Sequence, residues 1–269
     1  MTPLRLSAKA THEIVDIDDI NSPIYRVIEV SRLIGIFEFE ALNLTAPRLW
    51  DDPYENFLKY CRGIDITDDT IRWSFESYSE LIFAQCWTLN EENDAVLRIY
   101  SPNKDRAKVR TTINKLFKVL NRIQDNFFRS YIGAVKYKDE DAIKRGISAA
   151  IKNDKFAFFG EGLIKEFYLV KREAFAYEKE VRLMVRLHKP ANDFVNAIYQ
   201  DPDNLDVCNL PLADPEELFD EIVFDPRMPD TLVHAFTSYF RNELKFKKDI
   251  YKSNLYEKPV IKEIRKSIF

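Results

Sequence analysis

The run from Lys179 to Leu187, KEVRLMVRL, alternates as a strand does. Val181, Leu183, Val185 and Leu187 fall on one face, and Glu180, Arg182, Met184 and Arg186 on the other. The first face is suited to burial. The second carries a carboxylate and a guanidinium about 6 to 7 Å apart along the strand, just after the cluster Phe175, Tyr177 and Glu178. Such a face either lines a cleft or marks an edge strand that charge protects from pairing.

The same patterning predicts the other elements. Pro23 opens the strand PIYRVIEV, with Ile24, Arg26 and Ile28 on one face and Tyr25, Val27 and Glu29 on the other. Ser31 is placed to cap a helix over SRLIGIFEFE, and ALNLTAP is a second strand with alternating Leu42 and Leu44. In WDDPYENFLKY, Asp52 before Pro53 is the pattern of a helix cap with proline at the first helical position, and Glu55 has capping-box spacing. The apolar run Glu80 to Leu89 predicts a central strand whose polar end delivers Trp87 and Thr88. Asn90 would then cap a helix turning Ala95, Val96 and Ile99 inward. KVRTT is a short strand, followed by an amphipathic helix with the stripe Ile113, Leu116, Phe117, Leu120 and Ile123. SYIGAVKY is a further strand, and residues 141–175 are helix-rich with a break near Gly160 and Gly162. NLDVCNLPL and ELFDEIVFDP are late strands, and Asp230 is placed to cap the helix TLVHAFTSYFRNEL.

No repeat, low-complexity segment or Gly/Ser/Pro linker interrupts this series. The expectation is a single α+β domain over residues 23–244, with a mixed or antiparallel sheet flanked by helices. A polar lead-in of residues 1–22 precedes it and a basic tail of residues 245–269 follows. That tail reads first as a solvated edge and terminal helix.

Composition narrows the chemistry. A chain of 269 residues, 46% hydrophobic and with only six glycines, is globular. Its net charge of −4 gives no overall bias towards nucleic acid. Cys61, Cys86 and Cys208 show no metal-ligand spacing, and His12, His188 and His234 are scattered, so no zinc site or disulfide framework is expected. No apolar run approaches the roughly 18 residues of a membrane span, and the first residues lack a secretory h-region. The expectation is a cytoplasmic protein.

Several motifs then fall in a familiar order: Tyr25-Arg26, DDPYE from Asp51 to Glu55, CWT from Cys86 to Thr88 with LRIYS after it, GAVKY, KREAFAYEKEVR and IVFDPRM. Over residues 23–240 this set resembles the bacterial family called domain of unknown function 2971. Asp51 stands where Asn is usual there, Thr88 where Ser is usual, Leu97-Arg98 where Trp is frequent, and Asp225 where Gly is frequent.

A looser resemblance supplies a reaction. An arginine on an early strand, a hydroxyl at a central strand end and the second acid of an E-x-E on a later strand is similar to the signature of ADP-ribosyltransferases. It implies an ADP-ribosyltransferase-like fold with NAD as substrate. Arg26 would bind the NAD phosphates, Thr88 would orient the nicotinamide ribose, Glu180 would be the catalytic carboxylate and Glu178 the substrate-activating acid. Trp87 or Tyr100 would stack on the nicotinamide, and Arg182 and Asp52 complete the NAD-binding set. The resemblance further implies a transferase or NAD glycohydrolase, a role as a bacterial toxin or anti-phage effector with an antitoxin or defence-system partner, and a protein or nucleic-acid acceptor.

Two other readings use the same residues. Asp52, Glu55, Glu178 and Glu180 are oxygen ligands of the kind a Mg²⁺-dependent nuclease uses. A polar cleft of this kind also serves a non-catalytic ligand-sensing or interaction module. Convergence of Arg26, Thr88 and Glu180 in one cleft is the observation that favours NAD chemistry.

Overall fold

The computed structural model describes residues 11–56, 60, 62–64, 70, 72–74, 82–123, 128–152, 167–187 and 206–260. Its strands are β1 (Thr11–Val15), β2 (Pro23–Glu29), β3 (Ala41–Thr45), β4 (Arg62–Ile64), β5 (Arg72–Ser74), β6 (Ile82–Thr88) and β7 (Arg106–Thr112). They continue as β8 (Phe128–Ala134), β9 (Lys136–Lys138), β10 (Val170–Arg172), β11 (Glu180–Leu187), β12 (Val207–Pro211), β13 (Glu221–Phe224) and β14 (Asp249–Lys252). The helices are α1 (Val30–Glu38), α2 (Asp94–Tyr100), α3 (Ile113–Asn121), α4 (Glu140–Lys152), α5 (Pro215–Leu218) and α6 (Asp230–Asn242).

Ten strands form one mixed sheet, in the order β1-β8-β11-β6-β2-β7-β13-β14, with β12 and β3 joined to β6 off that path. β1 runs parallel to β8 and β14 parallel to β13, and the other pairs are antiparallel. The architecture is therefore α+β, one mixed sheet flanked by helices.

β11 is central, paired on both sides with β6 and β8. This removes the edge-strand alternative. Its two faces separate as the alternation requires. Val181, Leu183, Val185 and Leu187 enter the main core with Phe83, Trp87, Leu116, Phe219 and Phe240. Met184 joins a second core with Tyr131, Ile143, Ile147 and Phe167. The charged face is buried too, Arg186 included, because α4 and residues 167–170 pack over that side of the sheet.

The sheet forks at β6. On the edge away from β11, β6 meets β2 through one bridge, Thr88 to Tyr25, and β3 through one bridge, Ala84 to Thr45. Between those bridges Gln85, Cys86 and Trp87 have no strand alongside. Gln85 closes part of the gap by donating its amide to the Asn43 carbonyl at 2.9 Å. The candidate site lies in this fork.

Several local expectations are corrected. Helix α1 begins at Val30 after Glu29, with no side-chain cap, so Ser31 lies inside it. Asn93 rather than Asn90 caps α2, accepting from the amides of Ala95 and Val96, and its buried residues are Val96 and Leu97 while Ala95 and Ile99 are exposed. Asp52 accepts the Tyr54 amide in a turn, and the helix expected beyond it lies largely outside the described residues. Asp230 is the first helical residue of α6, whose cap position is Pro229. SYIGAVKY breaks at Val135 into β8 and β9. The helix-rich stretch resolves into α4, then β10 and a 3₁₀ turn at Glu173–Glu178, and the glycine break falls outside the described residues. Thr11–Val15 in the lead-in and Asp249–Lys252 in the tail both form strands of the main sheet.

Candidate functional site

Lys179 is where the site is made. It joins the 3₁₀ turn to β11 in a left-handed conformation (φ 44, ψ 54), which an L side chain adopts only at a cost of about 1 to 2 kcal/mol. Leu89 secures this corner by donating its amide to the Lys179 carbonyl at 3.0 Å. The reversal brings the side chains of Glu178 and Glu180 to the same ammonium. Lys171 Nζ donates to Glu178 Oε2 at 2.5 Å and to Glu180 Oε2 at 3.2 Å, and lies 3.5 Å from Glu55 Oε1.

Arg182 completes the cluster from beneath. It donates Nε to Glu180 Oε1 at 2.5 Å, Nη2 to Glu180 Oε2 at 3.0 Å and Nη1 to the Tyr168 carbonyl at 2.7 Å. Nη2 is also paired with Glu55, and the Trp50 ring covers the guanidinium at 4.7 Å. Arg182 is wholly buried. It fixes Glu180 from beneath and, unlike Arg26, is not among the residues that line the cleft.

Burial alone would raise the Glu180 pKa, but Arg182 and then Lys171 more than reverse this and hold it at about 2. Glu180 is ionised at neutral pH. Glu55 moves the other way, its pKa raised by burial against the pull of Arg182 and Lys171. The Glu180 carboxylate accepts from Arg182 and Lys171, and the Cys86 thiol lies close enough to help lower its pKa. Cys86 itself is pushed well above its ordinary pKa, first by burial and then by Glu180. The Glu180 amide donates to Tyr137 Oη at 2.8 Å, which fixes the backbone at this position.

Around this floor a cleft of about 700 Å³ opens, within the range of small-molecule sites. Arg26, Thr88, Tyr100, Glu178 and Glu180 all line it. The sequence-level trio of Arg26, Thr88 and Glu180 is thus brought together. Arg26 keeps one buried guanidinium nitrogen, Nη1, with no hydrogen-bond partner, and burial lowers its pKa to about 10. Tyr100 donates to Glu178 Oε1 at 2.8 Å while presenting its ring at the cleft, its own pKa raised by burial and then by Glu178.

Three expected roles change. Trp87 borders the cleft but belongs to the main core, 2% exposed, with its indole N–H on Gln85 Oε1 at 2.9 Å. Its ring is not a stacking surface, and Tyr100, Tyr177 and Phe175 supply the exposed or half-buried rings instead. Thr88 donates to the Glu178 carbonyl at 2.5 Å and accepts the Asn90 amide at 3.0 Å, so its donor is committed to positioning the Glu178 backbone. Asp52 lines the cleft but is paired with Arg172 at 3.2 Å.

The metal-ligand reading meets a direct obstacle. Glu55, Glu178 and Glu180 converge on the Lys171 ammonium, and two of them on Arg182 as well, so their charge is already met by cations of the protein. Asp52 is drawn off to Arg172. Lys171 was not singled out from sequence. Its signal is a lysine following the apolar residues Phe167 to Val170 without a break, all four of them buried.

No protein-family model matches the chain, and no curated protein matches it. The motif order resembling domain of unknown function 2971 therefore stands on the motifs alone. Three solved structures are similar. They are Thermus sp. 2.9 DarT in complex with carba-NAD+ (9% identity, 87% of this chain and 96% of that one, TM-score 0.37), with ADP-ribosylated ssDNA (11%, 91% and 96%, 0.37) and with NAD+ (9%, 88% and 98%, 0.38). Likeness at this level is too distant to assign residues, and what the cleft can do rests on its own geometry.

Proposed function

We propose that the cleft binds NAD and that the protein cleaves the nicotinamide–ribose bond, passing ADP-ribose to a macromolecular acceptor or to water. The observation that carries this is the convergence of Arg26, Thr88 and Glu180 on one cleft of dinucleotide size. The cleft is electrically polar. One wall offers the Arg26 guanidinium, whose buried Nη1 has no hydrogen-bond partner, and the floor holds an ionised Glu180. NAD has the matching polarity, with an anionic diphosphate at its centre and a cationic nicotinamide ring at one end.

The step is a heterolysis. The C–N bond breaks with its electron pair going to nicotinamide, which leaves neutral, and the ribosyl carbon becomes oxocarbenium-like. A nucleophilic oxygen or nitrogen of the acceptor then bonds to that carbon and gives up its proton. An anion fixed beside the ribose stabilises the charge that develops, and most strongly when its orientation is set in advance. Arg182 and Lys171 set the orientation of Glu180. Glu180 lines the cleft beside Cys86, where a ribose hydroxyl can donate to its carboxylate. Glu178, held by Tyr100 and Lys171, is the second acid at the acceptor side. Tyr100 and Tyr177 offer rings for stacking.

Service as a toxin or anti-phage effector, with an antitoxin or defence partner and a protein or nucleic-acid acceptor, is proposed on the motif resemblance alone. Titration calorimetry of NAD into the purified chain tests the binding half. Saturable binding is expected, weakened about ten- to a hundredfold by Arg26→Ala for a lost charge-assisted contact. No binding by the wild-type protein would contradict the reading. Binding without consumption would leave a ligand-sensing module.

A further inference from the structure

Arg106 opens β7 directly opposite Glu29 at the end of β2. Its Nη2 donates to Glu29 Oε1 at 2.9 Å, which fixes one edge of the guanidinium. Its Nε is buried with no hydrogen-bond partner, as is Nη1 of Arg26. Both residues line the same cleft, and Arg106 lies near enough to Arg26 to help lower its pKa, after burial. Buried N–H groups are almost always paired, so each exception needs a cause. Two in one cleft, both on like-charged guanidiniums, share one: an anion that accepts from both.

We propose that Arg106 is a second anion ligand of the cleft and forms with Arg26 a diphosphate-binding pair. The inference rests on the NAD reading only for the identity of the ligand. Guanidinium N–H edges fit phosphoryl oxygens in fixed, paired geometry. Glu29 is shared by Arg106 and by Arg32 Nε at 3.2 Å, and Arg32, well exposed, is not among the residues that line the cleft. Arg26 and Arg106 leave opposite faces of the β2–β7 ladder, Arg106 beside Glu29 and Arg26 beside Val109, so an anion accepting from both sits at the β2 margin of the fork.

Inorganic pyrophosphate is the probe, titrated calorimetrically into the full chain. Wild type should bind it, with affinity falling steeply as salt rises, and Arg106→Gln should bind about ten- to a hundredfold more weakly. Glu29→Gln is the control. It breaks the same ion pair but leaves the Arg106 donors in place, so it should bind pyrophosphate as tightly as wild type or tighter. If Arg106 only braced β2, Glu29→Gln and Arg106→Gln would lose affinity equally, and the proposal fails. Arg106→Gln binding like wild type, or wild type not binding at all, also overturns it. Should Arg106→Gln not fold, Arg106→Lys keeps the charge but loses the guanidinium geometry, and a measurable loss is still expected. Pyrophosphate binding that depends on Arg106 in a protein that never consumes NAD would keep this site and retire the NAD reading. NAD cleavage that is indifferent to Arg106 would do the reverse.

Discussion

Glu180 and Arg182, two residues apart on β11, form a buried two-point ion pair, with Nε to Oε1 at 2.5 Å and Nη2 to Oε2 at 3.0 Å. Arg182 is wholly buried, and Glu180, 4% exposed, shows only a small part of itself to the cleft. A strand sets alternate residues on one face, and here the flexible arginine folds back along that face to meet the carboxylate. The pair makes the candidate catalytic group part of the protein's own stability.

Glu180→Gln should therefore do more than silence a reaction. Removing one partner of a buried pair costs about 3 to 5 kcal/mol where the other charge is left uncompensated, and Glu55, still paired with Arg182, holds the loss towards the lower end. Lys171 also loses one of its carboxylates. Urea unfolding of the variant at neutral pH should show that drop. A variant as stable as wild type would mean that Arg182 finds its compensation elsewhere.

The same pair fixes a pH dependence. The folded-state pKa of Glu180 is about 2 against an ordinary 4.5. Its contribution is therefore fully present above about pH 4.5 and is lost as pH falls towards 2, on the order of 3 kcal/mol. Glu55, raised by burial, works in the opposite sense and offsets part of this. Unfolding midpoints at pH 6, 4 and 3 should fall for wild type and fall less for Glu180→Gln. Parallel curves would contradict the assignment.

Core truncation separates the two faces of β11. Leu183 is 1% exposed in the main core, so Leu183→Ala should cost about 2 to 5 kcal/mol. Arg186, read from sequence as the open face, is buried. Arg186→Ala should then also destabilise measurably, by about 1 to 3 kcal/mol for buried polar contacts left unmade. Thermal melts showing no change for Arg186→Ala would restore the open-face reading.

The alternation of KEVRLMVRL was enough to assign the faces of β11 correctly, because a central strand between two others keeps its side chains in strict register. It was not enough to show what covers the charged face, since that depends on α4 and residues 167–170, distant in sequence. Glu55 illustrates the limit. Capping-box spacing after Asp52 is a complete local reason for a glutamate, yet its carboxylate is drawn into the buried cluster by Lys171 and Arg182. Trp87 failed for a related reason. Its place beside Thr88 suggested the cleft, but period-two alternation sends it to the other face of β6, into the main core. The fork at β6 had no signal in the sequence at all, because it arises from two single bridges.

Thr88 tests whether the Glu178 corner matters. Its hydroxyl ties the Glu178 carbonyl to the Asn90 amide. Thr88→Val keeps the shape and removes both bonds, at about 1 to 3 kcal/mol, and should lower turnover by loosening Glu178. Thr88→Ser should restore both. Stability and turnover unchanged in the valine variant would show that the hydroxyl is dispensable.

The central claim is that an ionised, prepositioned Glu180 stabilises the separating nicotinamide–ribose bond. Such an interaction strengthens in the transition state, so its loss shows in turnover far more than in binding. The most direct measurement is nicotinamide release from NAD by purified wild type, Glu180→Gln and Glu180→Asp, with protein and nucleic-acid acceptors present and with and without a chelator. It is read beside NAD affinity, at a temperature where each variant is verified as folded. The account predicts release by wild type that the chelator does not affect, near-complete loss in Glu180→Gln with NAD affinity within a few-fold of wild type, and partial activity in Glu180→Asp. Wild-type protein that releases no nicotinamide under any of these conditions, or a folded Glu180→Gln that turns over like wild type, would contradict it.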